Sequence, residues 1–188
     1  ASERVSEAMW KIEKMTNKKT DIVVMIQGDE QMITTKMILD SLAPFKNKEV
    51  NIVNLISKFD SLEQFYSKDE IKVTVNKSDN AIYFSRSPIP FNSSNIKYPS
   101  LYKQVCIIPF RRKYLLKFNS MKETFLEKME SVDMLRVIEN GDNVKLVKSR
   151  TKTYSVDTLK DLKYVSKKMK HDKLSLKYSK SILSWIKF

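Results

Sequence analysis

The stretch Asp21-Ile22-Val23-Val24-Met25-Ile26-Gln27-Gly28-Asp29-Glu30 runs from an unbroken apolar segment into a glycine and two acids. A short continuous apolar run is what a strand buried on both faces of a parallel sheet requires. Residues 21–26 are therefore predicted to form an inner strand of an α/β domain. Ligands of such sheets bind just beyond the carboxyl ends of the strands, which is where Gly28 stands. The chain has only 2 glycines, against about thirteen at average usage, so each is expected to have a task. Gly28 would let a ligand approach the backbone, and Asp29 and Glu30 beside it suit a divalent cation. The plainer alternative is a strand-to-helix turn with solvated acids.

Helix and strand alternate outward from this stretch. Val5, Ala8, Met9, Ile12 and Met15 have helical spacing over residues 3–15. Thr34 or Thr35 caps a helix to about Phe45, and a second strand covers Val50 to Ile56. A short helix at Ser61 to Tyr66 precedes strands at Ile71 to Val75 and Ala81 to Phe84. Residues 85–100, with Pro88, Pro90 and Pro99, read as a loop. Lys103 to Phe110 reads as a strand, Arg111 to Phe118 as a short helix, and Phe125 to Glu139 as one longer helix closed by Asn140-Gly141. After a strand at Val144 to Val147, Asp157 opens a last helix, either as its N-cap or as a second metal ligand. Two acids at the ends of different strands are placed to share one Mg²⁺, so Asp29 and Asp157 are expected to meet across one sheet edge. The pattern argues a single three-layer α/β domain with a mostly parallel central sheet.

Composition narrows the chemistry. Of 188 residues, 41% are hydrophobic and 30% charged, as in a soluble globular domain. No apolar run approaches the roughly 18 residues a membrane span needs. Ala1-Ser2-Glu3-Arg4 leads straight into a polar helix, so no signal peptide is expected. Cys106, in Val105-Cys106-Ile107-Ile108, is read as a small buried hydrophobe, and a single cysteine fits a cytoplasmic location. One cysteine and one histidine exclude a Cys/His zinc set. His171 lies in a lysine-rich run and reads as solvated. Any catalysis then rests on carboxylates, lysines, arginines or a hard metal ion. Net charge is +13; residues 160–188 hold nine lysines and two aspartates, +7, which leaves +6 on the other 159 residues. The body is only moderately basic, as suits an anionic substrate.

An ordered set of segments then carries a resemblance. Asp21 to Glu30 resembles the strand and metal motif of the 3-deoxy-manno-octulosonate (Kdo) cytidylyltransferases. Ala81-Ile-Tyr-Phe-Ser-Arg86 with Pro88-Ile-Pro90 is similar to their sugar-side segment. Phe125 to Glu130, Asp133-Met-Leu-Arg136 and Glu139-Asn-Gly141 resemble their long helix and its cap, and Ser155-Val-Asp-Thr158 with Leu159 to Leu162 their closing motif. The similarity runs from about Ser2 to Met169. It implies a Rossmann-like nucleotidyltransferase domain over residues 1–170, with 171–188 as a basic extension. It also implies that CTP binds with Mg²⁺, that the anomeric hydroxyl of a sugar acid attacks the α-phosphate, and that pyrophosphate leaves. Asp29 and Asp157 match the family's metal-binding aspartates. Gln27, Gly28 and Arg86 match its substrate side, where the arginine fork suits a sugar carboxylate.

Departures qualify the resemblance. An Arg-His pair of the family is here Lys103-Gln104, and its Glu-Gln-Leu-Arg is Asp133-Met134-Leu135-Arg136. Gln104 and Met134 therefore replace a histidine and a glutamine on the family's sugar side; Gln104 and Asp133 are expected to bind substrate, and the sugar acid activated is Kdo or a relative of it. No segment matches the family's opening strand and phosphate loop. The chain is thus expected to lack a first βαβ unit and to turn over poorly alone. Tyr178, Ile182, Trp185 and Ile186 form an apolar stripe opposite Lys167, Lys170, Lys173, Lys177 and Lys180, expected to pack on the body or a second subunit. A homodimer without nucleic acid or stable membrane insertion is expected. The alternatives are an acylneuraminate-type cytidylyltransferase, or a basic module for nucleic acid or membrane surfaces.

Overall fold

In the computed structural model, Asp21 to Ile26 gives strand β1, Ile22–Ile26, antiparallel to β7, Ile107–Arg111, in register from Ile22↔Arg111 to Ile26↔Ile107. The structure describes residues 1–93, 101–156, 158–172, 175 and 176. Strand β6, Tyr102–Val105, runs into β7 across a break at Cys106, so the single strand expected over Lys103 to Phe110 is two. Strand β3, Val53–Lys58, pairs antiparallel with β6 and touches β7 through Ile52↔Phe110. On its other side β3 pairs parallel with β8, Lys145–Lys148. Strands β4, Lys72–Val75, and β5, Ala81–Ser85, complete the order β5-β4-β6-β3-β8.

The expected mostly parallel sheet is therefore mixed, with β3–β8 the parallel pair among the described residues. Connection length explains this: residues 76–80 between β4 and β5 are too few for a crossover, which takes about a dozen or more residues. The three layers are present. Strand β1, expected to be an inner strand buried on both faces, pairs with β7 alone among the described residues and buries only Met25 fully. Successive residues of β1, β3 and β7 still face opposite cores, as a strand's period of two demands. Met25, Ile56 and Ile108 lie in one cluster, and their neighbours Val24, Leu55 and Ile107 in the other. Helices α1, Ser2–Thr16, and α4, Arg112–Ser120, cover the first face with Met9, Leu115 and Phe118. Helix α2, Thr35–Leu42, covers the second with Met37. Across the first face, Arg112 grips the Glu13 carboxylate at 2.7 and 2.9 Å and ties α4 to α1.

The helix expected over Phe125 to Glu139 is broken into α5, Phe125–Glu130, and α6, Met134–Glu139. Ser131 takes a left-handed conformation (φ 54°, ψ 47°), and the Val132 N–H returns to the Glu127 carbonyl at 3.2 Å. The apolar spacing continues across the break and hides it from the sequence. Gly141 closes α6 as expected, at φ +76°. Gly141 N–H reaches Ile138 O at 2.9 Å and Asp142 N–H reaches Val137 O at 3.1 Å, the paired bonds of a Schellman motif. Two short strands were not expected: β2, Glu30–Gln31, and β9, Tyr154–Ser155, form a two-residue antiparallel ladder. A short helix α3, Leu62–Tyr66, lies after β3. The last described helix, α7, Leu159–Met169, is capped by Thr158 rather than by Asp157, with Asp161 N–H on Thr158 Oγ1 at 3.2 Å. Asp157, Lys173 and the stripe from Tyr178 to Ile186 lie outside the described residues.

Candidate functional site

Where β1 ends, the chain is fastened to the break at Cys106. Gln27 N–H donates to Cys106 O at 3.2 Å, Cys106 N–H donates to Glu30 Oε1 at 2.7 Å, and Glu30 N–H closes the turn onto Gln27 O at 3.2 Å. Glu30 is buried, and that burial pushes its carboxyl up to about 7, against the opposing pull of the Cys106 N–H and Lys103. From the other side the Val156 N–H donates to Asp29 O at 3.0 Å, next to the Glu30↔Ser155 ladder. Asp29 Oδ1 is buried and has no hydrogen-bond partner among the described residues. A buried carboxylate oxygen left without a donor is costly unless a cation completes it, so Asp29 fits a metal ligand. Among the described residues no three acids, histidines or cysteines cluster as a metal site. Gly28 is exposed, and an added Cβ would meet nothing within 4 Å, so the protein's own packing does not require glycine there.

Beside this turn lies a cavity of about 370 Å³. Gln27, Arg86, Gln104 and Asp133, from four separate segments, all line it, together with Glu123 and Lys128. Gln104 commits its amide nitrogen to Asn54 Oδ1 at 2.6 Å, so it offers a ligand its amide oxygen. The Asp133 carboxyl is raised, first by burial and then by the charge of Glu127. Glu127 is itself held by Arg136 at 2.8 Å, and that guanidinium lies 4.6 Å from the Phe118 ring centroid. Met134 is fully buried in the core and does not line the cavity, so its departure from the family motif is one of packing. Cys106, expected to be buried, is half-buried at the strand break and lines the cavity.

Arg86 sits differently from the expected open fork. Its Nε donates to Glu130 O at 2.9 Å, and its Nη1 to Lys68 O at 3.0 Å and Asp69 O at 3.4 Å. Nη2 is the one guanidinium nitrogen with no acceptor among the described residues. The Glu130 carboxylate also takes Ser85 Oγ at 2.7 Å and Arg86 N–H at 2.8 Å, which locks the end of β5. Glu130 and the buried Lys72 are the supports that sequence reasoning missed. Lys72 reads as an outward strand residue, and its partners are main-chain oxygens, which carry no residue-type signal.

Residues 1–167 match the family profile described as cytidylyltransferase. A relative named 3-deoxy-manno-octulosonate cytidylyltransferase from Thermodesulfovibrio yellowstonii is 31% identical over 173 residues, 88% of this chain and 68% of the relative. The chain belongs to the 3-deoxy-manno-octulosonate cytidylyltransferases of the cytidylyltransferase family. The relative of the same name from Fusobacterium nucleatum is 35% identical over 167 residues, 87% of this chain and 66% of its own length. That from Geobacter sulfurreducens is 35% identical over 161 residues, 80% and 64%. The chain thus spans about two thirds of these relatives. Among solved structures, a CMP:2-keto-3-deoxy-manno-octonic acid synthetase complexed with CTP superposes with TM-score 0.77 at 29% identity, covering 89% of this chain and 67% of that one. The inositol-1-phosphate CTP transferase from T. maritima shares the fold alone, with TM-score 0.51 at 15% identity.

Proposed function

We propose that this protein transfers the cytidylyl group of CTP to the anomeric hydroxyl of a Kdo-type sugar acid, releasing pyrophosphate. The observation that carries the reading is the cavity at the carboxyl end of β1, where Gln27, Arg86, Gln104 and Asp133 converge in a member of this family. Arg86 Nη2 and Lys128 supply positive charge for the sugar carboxylate. Gln27, Gln104 and Asp133 offer acceptors for the hydroxyls, and Gly28 leaves the backbone open to the ligand. Asp29, with Asp157 as the family motif implies, would hold Mg²⁺, which neutralises charge on the CTP phosphates when bound. The chain's own part is to orient: it holds the anomeric oxygen in line with the α-phosphorus, so that the new oxygen–phosphorus bond forms as the bond to pyrophosphate breaks. A CTP- and sugar-acid-using homodimer in the cytoplasm, built from a catalytic domain over 1–170 and an extension over 171–188, completes the proposal. Among the described residues no helix is long and apolar enough to cross a membrane. No observation favours acylneuraminate as the sugar or nucleic acid as the partner. The test is turnover by the protein at its full natural length with CTP, Mg²⁺ and Kdo: CMP-sugar and pyrophosphate in equal amounts support the reading, and a preference for N-acetylneuraminate, or no turnover, contradicts it.

A further inference from the structure

Four consecutive carbonyl oxygens, from Ser67 to Glu70, all accept from cations. Those of Lys68 and Asp69 hold Arg86 Nη1. Those of Ser67 and Glu70 hold Lys72 Nζ, the latter at 2.9 Å. The third donor of Lys72 goes to the carbonyl of Arg86 itself, at 2.7 Å. The same loop is anchored by a nearly buried ion pair, Lys103 Nζ to Glu70 Oε1 at 2.7 Å. Lys72 is 0% exposed, and its three acceptors among the described residues are uncharged main-chain oxygens. Burying an ammonium for stability alone is a poor arrangement, since an apolar residue of the same volume usually does as well.

We propose that Lys72 is a positioning residue for the sugar-acid site: it clamps loop 67–70 to the end of β5 and so fixes the direction in which Arg86 presents Nη2 to the cavity. The loop then acts as a cradle whose two inner carbonyls set the guanidinium angle and whose two outer carbonyls are pinned by Lys72. Misplacing a charged contact by about 1 Å costs as much as about a hundredfold in rate, so a clamp on a side chain already fixed by Glu130 has a functional effect. The inference rests on the reading of Arg86 as the contact for the sugar carboxylate.

The experiment is a double-mutant cycle read by calorimetric titration with Kdo, with thermal midpoints measured alongside. Arg86→Ala should weaken Kdo binding by about tenfold or more. Lys72→Met should weaken it by a comparable factor alone and change it by less than about twofold in the Arg86→Ala background, since the two act as one unit. In turnover, KM for Kdo should rise in Lys72→Met while KM for CTP holds, a split that general destabilisation would not produce. Should Lys72→Met fail to fold, Lys72→Gln, whose amide nitrogen is one bond shorter in reach and has two N–H donors for the three acceptors, carries the same cycle. Arg86→Ala that binds like wild type overturns the reading of Arg86 and the clamp with it. Weakening by Arg86→Ala, combined with Lys72 variants that bind normally or weaken binding equally in both backgrounds, overturns the clamp alone.

Discussion

Asp29 carries a plain tension, a buried carboxylate oxygen without a donor among the described residues. Such a group destabilises the metal-free protein and is relieved by a cation. Asp29→Asn should therefore leave the thermal midpoint of the metal-free chain unchanged or raised, while abolishing the stabilisation that Mg²⁺ with CTP gives the wild type. Melting curves with and without both ligands check this, and a variant that still gains stability from them contradicts the role. At this scale the sequence is informative where a residue type carries the signal. Gln27, Arg86, Gln104 and Asp133 are readable from motif positions, and the structure brings all four to one cavity. It is silent where the signal lies in the main chain. The commitment of Arg86 to the carbonyls of Glu130, Lys68 and Asp69 depends on loop geometry that no side chain advertises.

Helix ends and helix pairs carry the next set of effects. Gly141 occupies a left-handed position at φ +76°, where an L side chain costs about 1 kcal/mol or more. Gly141→Ala should lower the thermal midpoint by about 2–4 °C, as expected for a chain of this size, without altering ligand affinity; an unchanged midpoint would show that the cap is relaxed. The α1–α4 pair rests on Glu13, whose carboxylate takes Arg112 and the Thr20 N–H and is thereby held near 2, below the ordinary 4.5. Because the folded value is depressed, this contribution is complete above the ordinary value and is lost as pH falls toward about 2. The urea midpoints of wild type and Glu13→Gln should differ most near about pH 6 and converge in that acid window; a constant difference would mean the ionised pair is not responsible. The strand and helix order was legible from apolar periodicity, while the breaks at Cys106 and Ser131 were not, since hydrophobic spacing runs through both. The β2–β9 ladder, two residues long, is too short to leave a period.

At the scale of the whole molecule, two chemically distinct groups share one edge of the sheet. The turn after β1 presents Asp29, the candidate metal ligand, and the adjoining cavity presents the groups suited to a sugar acid. Both stand beyond the carboxyl end of β1, the end at which ligands of α/β sheets bind. The mixed sheet did not alter this, because β1 and β3 run the same way on either side of β6 and β7. Basic charge accumulates at the other end of the chain, where Lys168 lies 5.2 and 5.1 Å from the ring centroids of Tyr154 and Tyr164, on aromatic surface rather than in the cavity. The most direct measurement is a calorimetric titration of the chain with Kdo, for wild type and Arg86→Ala, with circular dichroism to establish that both are folded. Saturable binding of one Kdo per chain, weakened by about tenfold or more in Arg86→Ala, is the expected result. Absence of saturable binding, or equal affinity in the two folded proteins, would contradict the assignment of this cavity to the sugar acid.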